Sequence, residues 1–314
     1  MFNYDKNIYI PGLDLWIDSD RVKPFGYISH AHGDHIARHK KIICSKPTGD
    51  IIRRRLKNPP FIAYDYDDSF MLNDFRITLY PAGHILGSAQ IKIEKDGKSL
   101  LYTGDFRIKG ALTAEPYQMV KADILIMETT FGKSRYKIPP REESEEKLIE
   151  QCRKCLKQNI SPVIFAYSLG KGQEALKVLS DAGLPVAVDY MIMQYVPIYK
   201  KYGIKFSDFE KFKKSEFRGK VLLLPPNARN RRFLQSIGNT YTIFLSGWGM
   251  DSKAHTRFKV DEVIPFSDHA DYDELLQLVE MVNPQEVYCT HGFDEFVNTL
   301  NNIGYKAHKL EDKK

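Results

Sequence analysis

The sequence has few cysteines and no long apolar run, and each of these absences excludes a class of protein. Its 314 residues include four cysteines, too few for a disulfide framework in a chain of this length. It has no stretch of roughly 18 consecutive apolar residues, so we expect no membrane span. The first residues lack a basic stretch followed by an apolar core, so they do not predict a secretory signal. Together these features predict a cytoplasmic protein.

The excess of positive charge is small. The chain has 46 basic and 40 acidic side chains, a net charge of +6, which permits an anionic partner without requiring one. Hydrophobic residues make up 43% of the chain, enough to bury a substantial core, which excludes wholesale disorder. The length predicts about two domains, or one large domain with an insertion.

Short runs rich in β-branched and aromatic residues alternate with longer segments of helical pattern. The first half is rich in predicted strands, and within it IKIEKDGKSLLY predicts a hairpin that turns at Asp96-Gly97. REESEEKLIEQCRKCLKQ begins acidic and ends basic, which suits a helix dipole, and DYDELLQLVEMVN is amphipathic. From about residue 162 to 260 strands and helices alternate. The predicted fold class is therefore α/β.

The densest group of chemically reactive residues follows the predicted strand GYIS. It is the segment SHAHGDH, which contains His30, His32, Asp34 and His35. Residues i and i+2 of an extended chain point the same way, so His30 and His32 can face one point. Gly33 allows a sharp turn, so that Asp34 and His35 can face a second point nearby. Imidazoles and a carboxylate spaced this closely predict metal ligands.

Three further metal-ligating side chains stand at the ends of predicted strands. They are His84 in PAGHILG, Asp105 in YTGDF and His291 in YCTHG. Each of them alone would be read as an ordinary surface or core residue. Taken with the dense cluster they predict a site for two metal ions, in which the carboxylate can bridge both.

In this order and register, HAHGDH, AGHILGSAQ and TGDF resemble the motifs of the metallo-β-lactamase fold. ETTFG, FSDHAD and THG resemble the three further motifs of its β-CASP branch, whose members cleave nucleic acids. The resemblance covers nearly the whole chain and is strongest to the DNA-ligase-associated exonucleases. RNA 3′-end cleavage factors, ribonuclease J and the Artemis-type nucleases are more distant.

The resemblance implies an αββα sandwich with an inserted β-CASP α/β cap. We expect the metallo-β-lactamase domain in residues 1–161 and 261–314, and the insertion in residues 162–260. The final predicted strand is QEVYCTHG.

The resemblance also implies the ligand sets. One cation would be bound by His30, His32 and His84, and the second by Asp34, His35 and His291, with Asp105 bridging the two. Asp18 in WIDS would orient the cluster by hydrogen bonding, and Asp20 is the competing candidate. The metal is expected to be zinc, because imidazole-rich ligation suits Zn²⁺, although it also suits Mn²⁺ and Fe²⁺.

The implied chemistry is hydrolysis of a phosphodiester by a hydroxide that bridges the two divalent cations. His269 would donate a proton to the leaving alkoxide. Glu128 would hold His269 and stabilise its charged form. The third residue assigned to catalysis is Asp34, as a ligand of the second cation.

Ser168 and Lys171 are the candidate contacts to nucleic acid. They lie in the turn AYSLGKGQ, which opens a predicted helix where backbone N–H groups attract anions. An alternative for such residues is a purely structural turn. Cys152 and Cys155 form a CxxC pair within a predicted helix, without a second pair, and are expected to be buried.

The resemblance favours a DNA exonuclease acting in repair, functionally linked to a DNA ligase or helicase. An RNA-cleaving enzyme of the 3′-end-processing type is the main alternative. A thioesterase or lactonase of the same fold would lack Glu128 and His269 in these motifs, and a non-cutting scaffold would have lost metal ligands.

Overall fold

The computed structural model describes residues 1–57, 59–229 and 231–310, without the side chain of Arg231. The chain forms two compact units. The first comprises Met1–Tyr136 and His269–Lys314, and the second comprises Lys137–Asp268. The first unit is therefore discontinuous in sequence, and each unit is described separately.

The first unit contains two mixed sheets. In the described residues, the first sheet has the strand order β1-β2-β3-β4-β5-β6 and the second β19-β18-β11-β10-β9-β8-β7. The strands of the first sheet are β1 (Asn3–Asp5), β2 (Asn7–Ile10), β3 (Leu15–Ile17), β4 (Gly26–Tyr27), β5 (Ile42–Ser45) and β6 (Phe61–Tyr64). Those of the second are β7 (Phe70–Leu72), β8 (Phe75–Pro81), β9 (Ala89–Lys95), β10 (Lys98–Tyr102), β11 (Ile124–Glu128), β18 (Glu286–Thr290) and β19 (Ala307–Lys309).

Alternating apolar side chains hold these two sheets face to face. Ile8 and Ile17 of the first sheet share one buried cluster with Ile77, Ile91 and Leu100 of the second. The outer face of the second sheet is covered by helices, as shown by the buried cluster that its strands form with α8 and α9. The helices of this unit are α1 (Lys46–Arg55), α8 (Tyr272–Val282) and α9 (Asp294–Asn302). Helix α1 contacts β5 and β6 of the first sheet, which completes an αββα order of layers.

The hairpin predicted at Asp96-Gly97 is confirmed. Strands β9 and β10 pair antiparallel, with Lys95 opposite Lys98. Asp96 has a φ of 50° and Gly97 a φ of 74°, the left-handed conformation that both central residues of a type I′ turn require. This turn brings β10 back alongside β9, so that the end of β10 lies at the same edge as the end of β8.

The second unit is a parallel α/β sheet with a buried cluster on each face. Its order is β14-β13-β15-β12-β16-β17, and each neighbouring pair is parallel. Its strands are β12 (Ser161–Phe165), β13 (Val186–Val188), β14 (Glu210–Lys211), β15 (Val221–Leu224), β16 (Thr240–Leu245) and β17 (Glu262–Ile264). Its helices are α2 (Arg141–Lys157), α3 (Lys171–Asp181), α4 (Tyr190–Met193), α5 (Val196–Lys201), α6 (Arg231–Ile237) and α7 (Ala254–Phe258). Ile164 joins one cluster whereas its neighbours Val163 and Phe165 join the other, as alternation along a strand buried on both faces requires.

The α/β class and the order of layers agree with the sequence-based expectation, and most predicted strands are present. The expected domain boundaries at 161/162 and 260/261 remain predictions. The second unit also includes α2, because Leu148 and Cys152 of that helix pack in the cluster that contains Ile164. The prediction that QEVYCTHG is the final strand is wrong, since α9 and β19 follow it. Residues 311–314 of the expected domain lie outside the described residues.

Among the described residues, no helix combines the length and apolar character needed to cross a bilayer.

Candidate metal centre

The candidate ligands of the first unit gather beyond one edge of its second sheet. Strands β8 and β10 run in the same direction because each is antiparallel to β9, and β11 and β18 run parallel to β10. Their carboxyl ends therefore meet at the same edge. His84 follows β8, Asp105 follows β10, Glu128 ends β11 and His291 follows β18. The topology thus explains why residues far apart in sequence converge.

Three histidines and one aspartate form the tightest group. Ligand atoms of His30, His32, His84 and Asp105 all lie within 4.8 Å of one another. Oδ2 of Asp105 lies 3.5 Å from Nε2 of His30 and 3.8 Å from Nε2 of His84. Nε2 of His84 lies 3.1 Å from Nδ1 of His32. The structure therefore brings together the residues expected for the first cation, with the expected bridging carboxylate among them.

A buried nitrogen in this group supports a cation-binding role. The side chain of His30 is fully buried, and its Nε2 is one of the described buried atoms without a hydrogen-bond partner. On its other side, Nδ1 of His30 lies 3.0 Å from the hydroxyl of Ser29. Leaving a buried polar atom unpaired costs about 1–3 kcal/mol. A cation bound by Nε2 would remove that cost, and the nitrogen-rich donor set suits divalent zinc or a similar metal.

The residues expected for the second cation are less closely gathered. Nε2 of His35 lies 3.5 Å from Oδ2 of Asp105, so this histidine is in place beside the bridging carboxylate. Asp34 has an 81% exposed side chain, and its Oδ2 lies 3.9 Å from Nε2 of His35. His291 is exposed, with its ring centre 6.4 Å from that of His35. Asp34 and His291 lie in surface loops where their side chains face solvent, so the second half of the site is the more open one.

Burial and neighbouring charges shift the pKa values of the candidate ligands in different directions. Burial holds the pKa of His30 well below its usual value, which favours the neutral imidazole that binds metal. For His35, burial lowers the pKa, but the carboxylates of Asp105 and Asp18 outweigh it and raise the pKa well above the usual value. For Asp105, burial acts to raise the pKa, but His35 and His269 outweigh it, and the pKa is held well below its usual range. Both shifts favour the ionised carboxylate beside a protonated imidazole, so a cation bound to Nε2 of His35 would have to displace a proton.

Asp18 forms hydrogen bonds to several residues of the cluster. Its carboxylate accepts hydrogen bonds from the backbone N–H of Ser29 at 2.7 Å, from the Ser29 hydroxyl and from Tyr102 Oη at 2.9 Å. Nδ1 of His35 donates to it at 2.9 Å, which leaves Nε2 of that ring facing Asp105. The Asp18 backbone has a φ of 43°, a conformation that aspartate tolerates better than most residues. Asp20 is exposed, and the hydrogen bonds to the cluster belong to Asp18.

His269 and Glu128 lie beside the cluster as a hydrogen-bonded pair. Nδ1 of His269 donates to Oε1 of Glu128 at 2.9 Å and lies 3.9 Å from Oδ2 of Asp105. The same Oε1 accepts the backbone N–H of Phe106 at 3.0 Å, and Oε2 accepts the hydroxyl of Thr130. Glu128 is buried and His269 is partly exposed, so the imidazole is held from within while one side stays accessible.

In the second unit, Lys171 forms an ion pair with a buried carboxylate, and its expected contact with nucleic acid stays a prediction. Its side chain is 5% exposed, and its ammonium is paired with the buried carboxylate of Asp268. The backbone C=O of Ser168 accepts a hydrogen bond from the amide of Gln173 at 2.9 Å, and the N–H of Gly170 donates to the same side chain at 2.7 Å. The turn is therefore closed by Gln173 and Asp268, two residues that sequence reasoning did not identify.

The cysteines of the CxxC pair are free thiols in helix α2. Both Cys152 and Cys155 are buried, in agreement with the expectation. Burial raises the pKa of both thiols, that of Cys152 most strongly, so neither is primed as a nucleophile.

Three supporting residues of the centre were not identified from sequence. They are Ser29, Tyr102 and Thr130, which bind Asp18 or Glu128. Ser29 lies in SHAHGDH and Thr130 in ETTFG, so their position inside these motifs was the available signal. Tyr102 is 84 positions from Asp18, so nothing in the local pattern pairs them.

Part of the chain matches a known protein family. Residues 254–304 fit the family model described as a Zn-dependent metallo-hydrolase RNA specificity domain. The matched segment contains His269 and His291 of the centre.

Individual relatives include proteins named for DNA and for RNA. A protein of Opitutus terrae named "Probable DNA ligase" is 38% identical over 308 residues, which are 97% of this chain and 30% of the relative. An "RNase J-like protein" of Methanocaldococcus jannaschii is 28% identical, over 62% of this chain and 52% of the relative. A "Probable RNase MJ4" of the same organism is 26% identical, over 95% and 87%. This chain thus spans about a third of the first relative and about half of the second.

Proposed function

Since this chain belongs to the β-CASP branch of the metallo-β-lactamase fold, we propose that it is a metal-dependent nuclease that hydrolyses phosphodiester bonds. The observation that carries the proposal is the His269–Glu128 pair, placed 3.9 Å from the carboxylate of Asp105 in the ligand cluster. A thioesterase or lactonase needs no such pair, whereas cleavage of a phosphodiester requires a proton for a poor leaving group.

We propose two divalent cations, zinc in the first instance. His30, His32, His84 and Asp105 would hold one, and His35, Asp34 and His291 would hold the other together with Asp105. When bound, such cations make a nucleophile available from water at neutral pH and offset the negative charge of the phosphodiester. The contribution of Asp18 is to hold Nδ1 of His35, so that Nε2 faces the centre.

The remaining step belongs to His269. Its Nδ1 is committed to Glu128, so the proton available for transfer is on Nε2. Glu128 stabilises the imidazolium and fixes the ring, and the backbone N–H of Phe106 fixes Glu128 in turn. As the bond to phosphorus breaks, His269 would donate that proton to the departing oxygen, and water would restore it.

We infer that the substrate is DNA, cut from an end as an exonuclease, in a process that also needs a DNA ligase. The support is that a relative named as a probable DNA ligase contains a segment similar to 97% of this chain. RNA is the second candidate. It is supported by the matched segment, whose family is described as an RNA specificity domain, and by relatives named as RNases.

The test is metal analysis followed by digestion of end-labelled single- and double-stranded DNA and RNA of one sequence. We expect metal-dependent shortening of DNA from an end. His30→Ala/His32→Ala protein, prepared without metal, serves as the negative control.

Each outcome has a defined meaning. Full nuclease activity in the metal-free double variant would refute the metal-dependent mechanism. Cleavage of RNA in preference to DNA would select the second candidate, and hydrolysis of thioesters or lactones without any polynucleotide would overturn the nuclease proposal.

A further inference from the structure

A cavity of about 610 Å³ lies in the first unit beside the candidate metal centre. Its lining includes Asp34, His35 and His291, the residues proposed for the second cation. A ligand in the cavity would therefore lie next to the phosphodiester that the centre attacks.

Two basic side chains, Lys6 and Arg21, line the same cavity. Lys6 forms the one-residue turn between β1 and β2, with a φ of 59°. The backbone N–H and C=O of Arg21 are both bound by the hydroxyl of buried Ser19, at 3.3 and 3.0 Å. Both basic side chains are exposed, and neither forms an ion pair within residues 1–57, 59–229 and 231–310. Their backbones are thus held in place while their charges remain available.

The acidic residues of the lining do not cancel these charges. Asp18 is bound by His35, Ser29 and Tyr102, and Asp34 is assigned to the second cation. Among the described residues of the lining, this leaves Asp20 as the acid whose charge can offset those of Lys6 and Arg21. The lining therefore favours a small anion, and more strongly so once cations are bound next to it.

The volume and the lining residues of the cavity indicate that the anion is the phosphate of a nucleotide. Its volume falls within the range of small-molecule sites, about 300–1,000 Å³, and admits one nucleotide but not a duplex. Tyr4, Ile8 and Leu310 contribute apolar surface to the lining, against which a base or sugar can pack.

We propose that this cavity binds the terminal nucleotide of the strand to be cut, with Lys6 and Arg21 holding its terminal phosphate. The inference rests on the proposed nuclease function and deepens it, because it makes a phosphate-bearing strand end the preferred substrate. Either the 5′ or the 3′ end supplies this chemistry, and the two ends are separate arms of the test.

The first experiment measures initial cleavage rates of the full chain, loaded with metal, on four single strands. One pair of strands differs only at the 5′ end, which carries a phosphate or a hydroxyl. The other pair differs in the same way at the 3′ end. In each strand the fluorophore is at the opposite end. We expect a terminal phosphate at one of the two ends to raise the rate about 10-fold or more, because each charge-assisted contact is worth at least that much. Lys6→Ala/Arg21→Ala should abolish the preference.

The matched control is Lys98→Ala/Lys121→Ala, which removes the same charge from exposed positions. Lys98 begins β10 and Lys121 precedes β11, so both lie at the opposite edge of the sheet. This variant should keep the preference for a terminal phosphate. Retention of the full preference by Lys6→Ala/Arg21→Ala protein would overturn the inference.

The second experiment measures binding of a fluorescent nucleoside monophosphate by anisotropy, with the unphosphorylated nucleoside as reference. We expect affinity for the monophosphate to fall about 10-fold or more in Lys6→Ala/Arg21→Ala protein, and to rise in Asp20→Asn protein. The dependence of the binding constant on salt concentration should also weaken, because fewer charges of the protein then attract the phosphate.

These two readouts separate the inference from the function on which it rests. Wild-type protein that cuts no strand would refute the nuclease proposal. The binding measurement would still show whether the cavity binds a nucleoside monophosphate. Equal affinity of wild-type and Lys6→Ala/Arg21→Ala protein for the monophosphate would exclude the cavity as a phosphate site.

Discussion

At the scale of single residues, the carboxylate of Glu128 accepts three hydrogen bonds with its two oxygens. One oxygen accepts from Nδ1 of His269 and from the backbone N–H of Phe106, and the other accepts from Thr130. We therefore predict that Glu128→Gln lowers kcat by about 10²–10⁴-fold, because the amide cannot stabilise the imidazolium, and we expect a loss of the same order for His269→Ala. Metal content should stay unchanged in both variants. Loss of metal from either variant would contradict this division of roles.

Asp105 has a different kind of role. Its Oδ2 lies 3.5 Å from His30 and 3.5 Å from His35, one from each proposed ligand set. We predict that Asp105→Ala loses bound metal as well as activity, because the buried imidazoles then face one another without a balancing charge. Metal content after dialysis, measured beside that of His269→Ala protein, checks this. Undiminished metal in Asp105→Ala protein would show that the carboxylate does not bridge.

Asp18 acts through the histidine it holds. We predict that Asp18→Asn weakens metal binding about 10- to 100-fold, as loss of such orienting carboxylates does at other metal sites. The matched control is Asp20→Asn, two positions away and exposed, which should keep the affinity of the wild-type protein. Competition with a chromophoric chelator gives both values. A larger effect at Asp20 than at Asp18 would reverse the assignment.

At the scale of elements, helix α8 stabilises the face of the sheet behind the centre. Leu278 is fully buried in the cluster that contains Leu125 and Val287 of the sheet. We predict that Leu278→Ala lowers the free energy of unfolding by about 2–5 kcal/mol, because it leaves a cavity in a close-packed core. Urea unfolding measures this. Gln277→Ala, at the neighbouring exposed position of the same helix, should be nearly neutral.

Most elements could be predicted from the sequence because their patterns are strong. The hairpin at Asp96-Gly97 has a turn signal, and α2 has acidic residues at its start and basic ones at its end. The elements that the sequence did not predict include α9 and β19. Helix α9 buries Phe296 and Leu300 behind a mostly polar sequence, and β19 has three residues, too few for an alternating pattern to be visible.

The candidate site was predictable to the extent that its residues carry chemistry in their side chains. The histidines and Asp105 could be identified because packing alone does not require imidazole and carboxylate groups at one strand end after another. The buried partner of Lys171 could not be identified, because Asp268 is 97 positions away and its pairing depends on the tertiary fold. A glycine-rich turn before a helix looks the same in the sequence whether its lysine binds a phosphate or pairs with a carboxylate of the protein.

At the scale of the whole molecule, the cation sites should couple to the stability of the first unit. The proposed ligands come from segments between His30 and His291, which only folding brings together, so we expect the cations to bind the folded state alone. We predict that a chelator lowers the unfolding temperature of that unit by about 5 °C or more, as expected for a ligand present at about 100 times its Kd. Calorimetry with and without chelator measures this, and His30→Ala/His32→Ala protein should show no such shift.

The net charge of +6 proved a weak guide to function at this scale. Many of the basic residues are committed to ion pairs, such as Lys306 with Glu286 and Lys309 with Asp294. Charge that matters for a nucleic acid is local, and Lys6 and Arg21 would not stand out in any count along the chain.

The order of strands has a consequence for how the protein is made. Strand β11 pairs with β18, yet residues 129–285 separate the two in sequence. At about 5–20 residues per second, a ribosome needs roughly 8 to 30 s to synthesise that stretch. During this interval one edge of β11 has no native partner, and an open strand edge invites pairing with other chains. The growing chain is therefore at its most vulnerable while the inserted unit is being translated.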